Sequence, residues 1–101
     1  MKHKVEVDPK KLRHLRILEG FVWEGKTFQI DPESQTFIAG KALSVLKNKV
    51  AGTPLNTITW RTYDNEFYNF TSEEFLEFSS AVESHIENIL QNSWYSIDNK
   101  E

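Results

Sequence analysis

The chain reads as a small α+β domain: two short antiparallel β-hairpins and two α-helices, with the C-terminal helix long and amphipathic. Three observations predict this. Strand-like alternation broken by turn residues occurs twice, over residues 21–30 around Glu24-Gly25 and over residues 57–70 around Asp64-Asn65. A helix-start signal follows each hairpin, Asp31-Pro32 and then Thr71-Ser72-Glu73-Glu74. From Phe75 onward, apolar residues recur at spacings of three and four.

Taken in order, Leu12, Leu15, Ile17 and Leu18 lead from a basic segment into the first hairpin, where Phe28 and Ile30 fall on one face. Asp31 suits an N-cap and Pro32 is tolerated at the first helical position, so a helix begins there. Ile38, Ala42, either Val45 or Leu46, and the stem of Lys49 share its inner face; Gly52 and Pro54 end it. In the second hairpin Ile58, Trp60 and Thr62 occupy one face and Thr57, Thr59 and Arg61 the other, with Phe67 and Phe70 returning after the turn. Thr71 and Glu74 then form a capping box, each side chain reaching the other's backbone amide. Phe75, Phe78, Val82, Ile86, Ile89 or Leu90, and Ser93 or Trp94 trace an apolar stripe about six turns long.

A length of 101 residues predicts one hydrophobic core, with about two thirds of the unfolded surface buried. The expected division is a basic N-terminal arm over 1–16, one domain over 17–97 and a tail over 98–101, with fraying up to about Lys10 and from Asp98 to Glu101. At 39% hydrophobic the chain is too apolar for disorder, yet no apolar run reaches the roughly 20 residues of a membrane span. The first residues lack the apolar stretch of a secretory signal, so nothing points to export. Without cysteine, neither a disulfide framework nor a thiolate metal site is available. A net charge of −3 conceals an asymmetry. Lys2, Lys4, Lys10, Lys11, Arg13 and Arg16 crowd the N-terminus, whereas Asp64, Glu66, Glu73, Glu74, Glu77, Glu83 and Glu87 follow one another with no Lys or Arg between them.

No residue set carries a catalytic pattern. His85-Ile86-Glu87 matches the His-x-Glu of zinc deaminases, but those require paired cysteines for the metal. His85 instead falls beside the apolar stripe, and His3 and His14 are too far apart for a helix-borne metal pair. Glu73, Glu74 and Glu77 could share a helix face for acid–base work; favourable charge at a helix N-terminus explains them more simply. Asp31 and Asp64 read as cap and turn residues. Trp60 is expected in the core, whereas several of Tyr63, Tyr68, Trp94 and Tyr95 are expected partly exposed, as interface anchors. The basic residues Lys10, Lys11, Arg13 and Arg16 could contact nucleic acid, but no helix-turn-helix or interleaved aromatic surface accompanies them, and a solvated arm or one docked on an acidic neighbour is the simpler reading.

Residues 20 to about 97, some three quarters of the chain, resemble a small domain of unknown function found in tailed-bacteriophage tail and tail-fibre proteins. The resemblance is carried by Asp31-Pro32-Glu33-Ser34-Gln35, Ile38-Ala39-Gly40, Ala42, Trp60-Arg61-Thr62-Tyr63-Asp64-Asn65, Thr71-Ser72-Glu73-Glu74, Val82 and His85, in that order. Pro32 and Lys41 depart from the pattern without disturbing the fold, and residues 1–16 lie outside it. The resemblance implies a non-enzymatic virion tail component made in the host cytoplasm, an adaptor or attachment module of the tail, baseplate or fibre region. No cofactor, metal, membrane or nucleic acid is expected. The implied partners are other tail or fibre proteins and further copies of the chain, as a trimer or hexamer through Phe78, Val82, Ile86, Ile89 and Trp94. Two alternatives stand beside it: a tail-fibre assembly chaperone absent from the mature virion, and a small nucleic-acid-binding regulator.

Overall fold

Helix, hairpin, helix, hairpin, helix is the order in which this chain is built. The computed structural model describes the backbone of residues 8–98 and the side chains of residues 8–94. The elements are α1 (Pro9–Leu18), β1 (Phe21–Trp23), β2 (Lys26–Phe28), α2 (Pro32–Val50), β3 (Ile58–Arg61), β4 (Phe67–Phe70) and α3 (Ser72–Asp98). The α+β class, both antiparallel hairpins and the long C-terminal helix stand as the sequence predicts.

The basic arm is the exception. Most of its described part is helical, and Asp8-Pro9 supplies the same start signal as Asp31-Pro32. The Asp8 carboxylate accepts the Lys10 amide at 3.1 Å, and Pro9 needs no amide partner in the first turn. Fraying up to Lys10 is therefore corrected for Asp8 to Lys10, while residues 1–7 and 99–101 lie outside the described residues.

In the first hairpin Phe21 pairs with Phe28 and Trp23 with Lys26. Glu24 and Gly25 both take left-handed angles, φ 50° and 78°, as a two-residue hairpin turn of this hand requires. Gly20 has a stricter reason to be glycine: at φ +86°, a Cβ there would sit 2.7 Å from the Phe28 carbonyl oxygen. In the second hairpin Ile58 pairs with Phe70 and Arg61 with Phe67, and Asn65 closes the loop at φ 67°. Thr62 organises that loop, its amide donating to the Glu66 carbonyl at 2.8 Å and its hydroxyl to Asp64 Oδ1 at 2.6 Å. The hydroxyl's bond, ahead of the smaller influences of backbone amides and Lys26, holds the Asp64 carboxyl below its ordinary range. A single backbone bond, Tyr63 amide to Thr27 carbonyl at 2.7 Å, joins the two hairpins, and the exposed Lys26–Glu66 ion pair at 3.0 Å runs beside it.

Both hairpins close on the N-terminal half of α3 through an aromatic cluster. The Phe78 ring lies 4.9 Å from both Phe28 and Phe70 and 5.7 Å from Phe75 and Trp23. Ile30, Ile38, Val45, Ile58 and Val82 complete the core. Each such fully buried side chain stabilises the fold by about 1.5–3 kcal/mol in transfer free energy before the entropy of ordering is set against it. Helix α2 covers α3 with Ile38 and Val45, and Lys49 meets Glu73 at 3.4 Å near the start of α3. Helix α1 lies along the other half: the Ser93 hydroxyl donates to the Pro9 carbonyl at 3.4 Å, and Ile17 packs on the core. Both helices thus run antiparallel to α3, one after the other.

Candidate interaction surface

Most of the acidic residues that sequence alone offers for chemistry are engaged in holding the fold. At the start of α3, the Thr71 hydroxyl accepts the Glu74 amide at 3.1 Å and Glu74 accepts the Thr71 amide at 3.4 Å, so the capping box closes in both directions. Glu74 also accepts the Tyr68 hydroxyl at 3.0 Å. That bond, with burial and the charges of Glu74 and Glu24, raises the Tyr68 pKa above its ordinary 10.0. Glu73 pairs with Lys49. Asp31 caps α2 by position, but its carboxylate accepts the Ser34 hydroxyl at 2.6 Å and no backbone amide. The Gln35 side-chain amide donates to the Ile30 carbonyl at 2.9 Å. Ser34 and Gln35, two motif residues, therefore fasten the entry of α2. Among the described residues, no three His, Asp or Glu converge as metal ligands.

The interface candidates divide. Phe78, Val82 and Ile89 are buried within the chain itself, which corrects their assignment to contacts between copies: the stripe is covered by both hairpins, α2 and the unforeseen α1. Ile86 is half-buried and packs against the core. Tyr68 is half-buried between Phe28 and Phe70, its hydroxyl committed to Glu74. Tyr63 is exposed, but its hydroxyl donates to the Leu18 carbonyl at 3.2 Å, pinning the end of α1. Trp94 stands 51% exposed. The Tyr95 side chain lies outside the described residues. Of the basic residues, Lys10, Lys11 and Arg16 are exposed on α1 and Arg13 is half-buried. His85 packs its ring 5.0 Å from Phe21 beside the stripe, and Trp60 packs at 5.2 Å from Phe75. The Trp23 indole nitrogen is buried with no hydrogen-bond partner.

What sequence reading missed is the apolar surface on the outside. On α2, Leu43, Leu46 and Val50 are exposed together with Ala39, at spacings of four, three and four that place them on one stripe turned away from Ile38 and Val45. On α1, Leu12, Leu15 and Leu18 are 40–52% exposed. Phe67 on β4 is exposed beneath the Arg61 guanidinium, 5.0 Å from its ring. The spacing of the α2 stripe is heptad-like, but in the sequence it interleaves with the inner positions of the same helix. Between α2 and α3 lies an open groove of about 290 Å³ with Ile38, Ala39, Val82 and Ile86 on its walls and Gln35, Ser79 and Glu83 among its polar residues. It is small for a ligand site, and the Gln35 amide nitrogen is already bonded elsewhere.

Residues 8–98 match the family described as Domain of unknown function (DUF4376), and the chain belongs to it. The match begins at the Asp8 cap and so takes in α1. No curated protein and no solved structure matches the chain.

Proposed function

We propose that this protein is a non-enzymatic component of a bacteriophage virion tail, an adaptor or attachment module in the tail, baseplate or fibre region, working through protein contacts. The observation that carries the reading is the pairing of two features. The resemblance to tail and tail-fibre proteins runs through residues whose polar groups are occupied in capping and turns. Much of the apolar surface left for function is helical, with the α2 stripe of Leu43, Leu46 and Val50 as its longest run. Exposed apolar faces of this kind mark protein contacts. Further copies of the chain and other tail or fibre proteins are the partners, and a trimer would suit a fibre as a hexamer would a baseplate.

Mass spectrometry of purified virions tests it. Detection of the chain in particles is the expected result. Absence from particles, with the protein abundant in infected cells, would overturn it in favour of a fibre-assembly chaperone or a regulator. DNA binding that falls steeply with salt and is abolished on replacing Lys10, Lys11, Arg13 and Arg16 would select the regulator.

A further inference from the structure

We propose that α1 and the C-terminal half of α3 together form the face on which a second copy of this chain docks, the two helix pairs closing antiparallel into a four-helix layer. The inference rests on α1, and it stands whether or not the tail reading does.

Beyond Ile86, α3 leaves the main core behind. Ile89 and Ser93 are buried there, with Pro9 of α1 against Ser93, while Leu90 stays half-buried and Trp94 mostly exposed. Helix α1 buries no residue completely: it turns Arg13 and Ile17 inward and leaves Leu12, Leu15 and Leu18 substantially exposed. A ten-residue helix is marginal by itself in water, and packing on an apolar face is what holds it. A pair of helices covers only one face of each, so among the described residues nothing lies on the apolar side of this pair.

Charge identifies the occupant. Helix α1 carries Lys10, Lys11, Arg13 and Arg16 and no acid, whereas α3 carries Glu83 and Glu87 and has no Lys or Arg along its length. Among the described residues the ion pairs are Lys26–Glu66 and Lys49–Glu73, and none links α1 to α3. A two-fold association of antiparallel pairs sets the basic α1 of each copy against the acidic α3 of the other, so the complementarity is used twice. A nucleic acid or an anionic membrane would meet Glu83 and Glu87 beside the basic residues, which counts against either. A contact limited to these helices falls at the small end of protein interfaces, where association is reversible. A hexamer could contain three such dimers.

Sedimentation of the full chain across micromolar concentrations is the test, with circular dichroism as the folding control. The expected result is reversible dimerisation of the 11.8 kDa chain, weakened by salt and abolished by the exposed-site variant Leu15→Asp. Two charge-reversed chains sharpen it. One carries Lys11→Glu with Arg16→Glu, and the other carries Glu83→Lys with Glu87→Lys. Each should be monomeric alone, and the mixture should dimerise again. A chain that stays monomeric at every concentration, a trimer, or a dimer that Leu15→Asp leaves intact would overturn the proposal. Its failure leaves the virion measurement untouched, so the two readings fall separately.

Discussion

Phe78 shows at the scale of one residue how an amphipathic pattern is divided between core and surface. It sits among Phe21, Trp23, Phe28, Phe70 and Phe75, so truncation opens a cavity in the centre of the fold. Phe78→Ala should destabilise the chain by about 3–5 kcal/mol, read from the midpoint of urea unfolding, whereas Leu46→Ala on the exposed face should stay within about 0.5 kcal/mol. Equal effects would contradict the burial described. Two further residues couple stability to pH. Tyr68 is raised by its hydrogen bond to Glu74, by burial and by the charges of Glu74 and Glu24; Lys26 is raised by its hydrogen bond to Glu66 and by that charge. The folded chain therefore holds both protons more tightly than the unfolded chain. The stabilisation is complete below the ordinary values of 10.0 and 10.5 and is lost as pH rises through the raised folded ones. Unfolding midpoints should fall in that alkaline window, and Tyr68→Phe combined with Lys26→Met should flatten the fall. An unchanged profile in the double variant would place the cause elsewhere.

Among the elements, those with two agreeing local signals were legible in the sequence and those with one were not. Residues 71–74 combine a capping hydroxyl, a returning carboxylate and an apolar run, and α3 begins at Ser72 as they require. Thr71→Ala should cost about 1 kcal/mol, and with it several degrees of melting temperature in a chain of this size. Thr71→Ser should recover most of the loss, which a purely packing role for the threonine methyl would not allow. The hairpins were legible because positive-φ residues stand where alternation breaks, at Gly25 and Asn65. Helix α1 was missed although Asp8-Pro9 states the same start signal as Asp31-Pro32, because the density of lysine and arginine reads as a solvated arm. What makes it a helix is tertiary: Ile17 on the core and Pro9 against Ser93, 84 residues away in sequence. No local pattern reports such a contact.

At the scale of the whole molecule, α3 is the axis against which everything else is laid, with both hairpins and α2 on its first half and α1 on its second. Sequence periodicity shows that α3 is amphipathic, but not which neighbours use its apolar stripe. Reading the stripe as a contact between copies overlooked that Phe78, Val82 and Ile89 are consumed by the chain's own elements. The outward stripe of α2 escaped for the converse reason: its inner and outer apolar positions lie on one helix, and only the packed structure separates them. Most of the exposed apolar residues that remain lie on helical faces, and it is there that we propose the protein makes its contacts. That proposal is tested most directly by quantifying this protein in virions from phage carrying either the natural gene or one encoding Leu43→Asp with Leu46→Asp, after the purified variant has been shown to fold. The account predicts that the natural chain is incorporated and the folded variant is lost from the particles. Equal incorporation of the two, or absence of both, would contradict it.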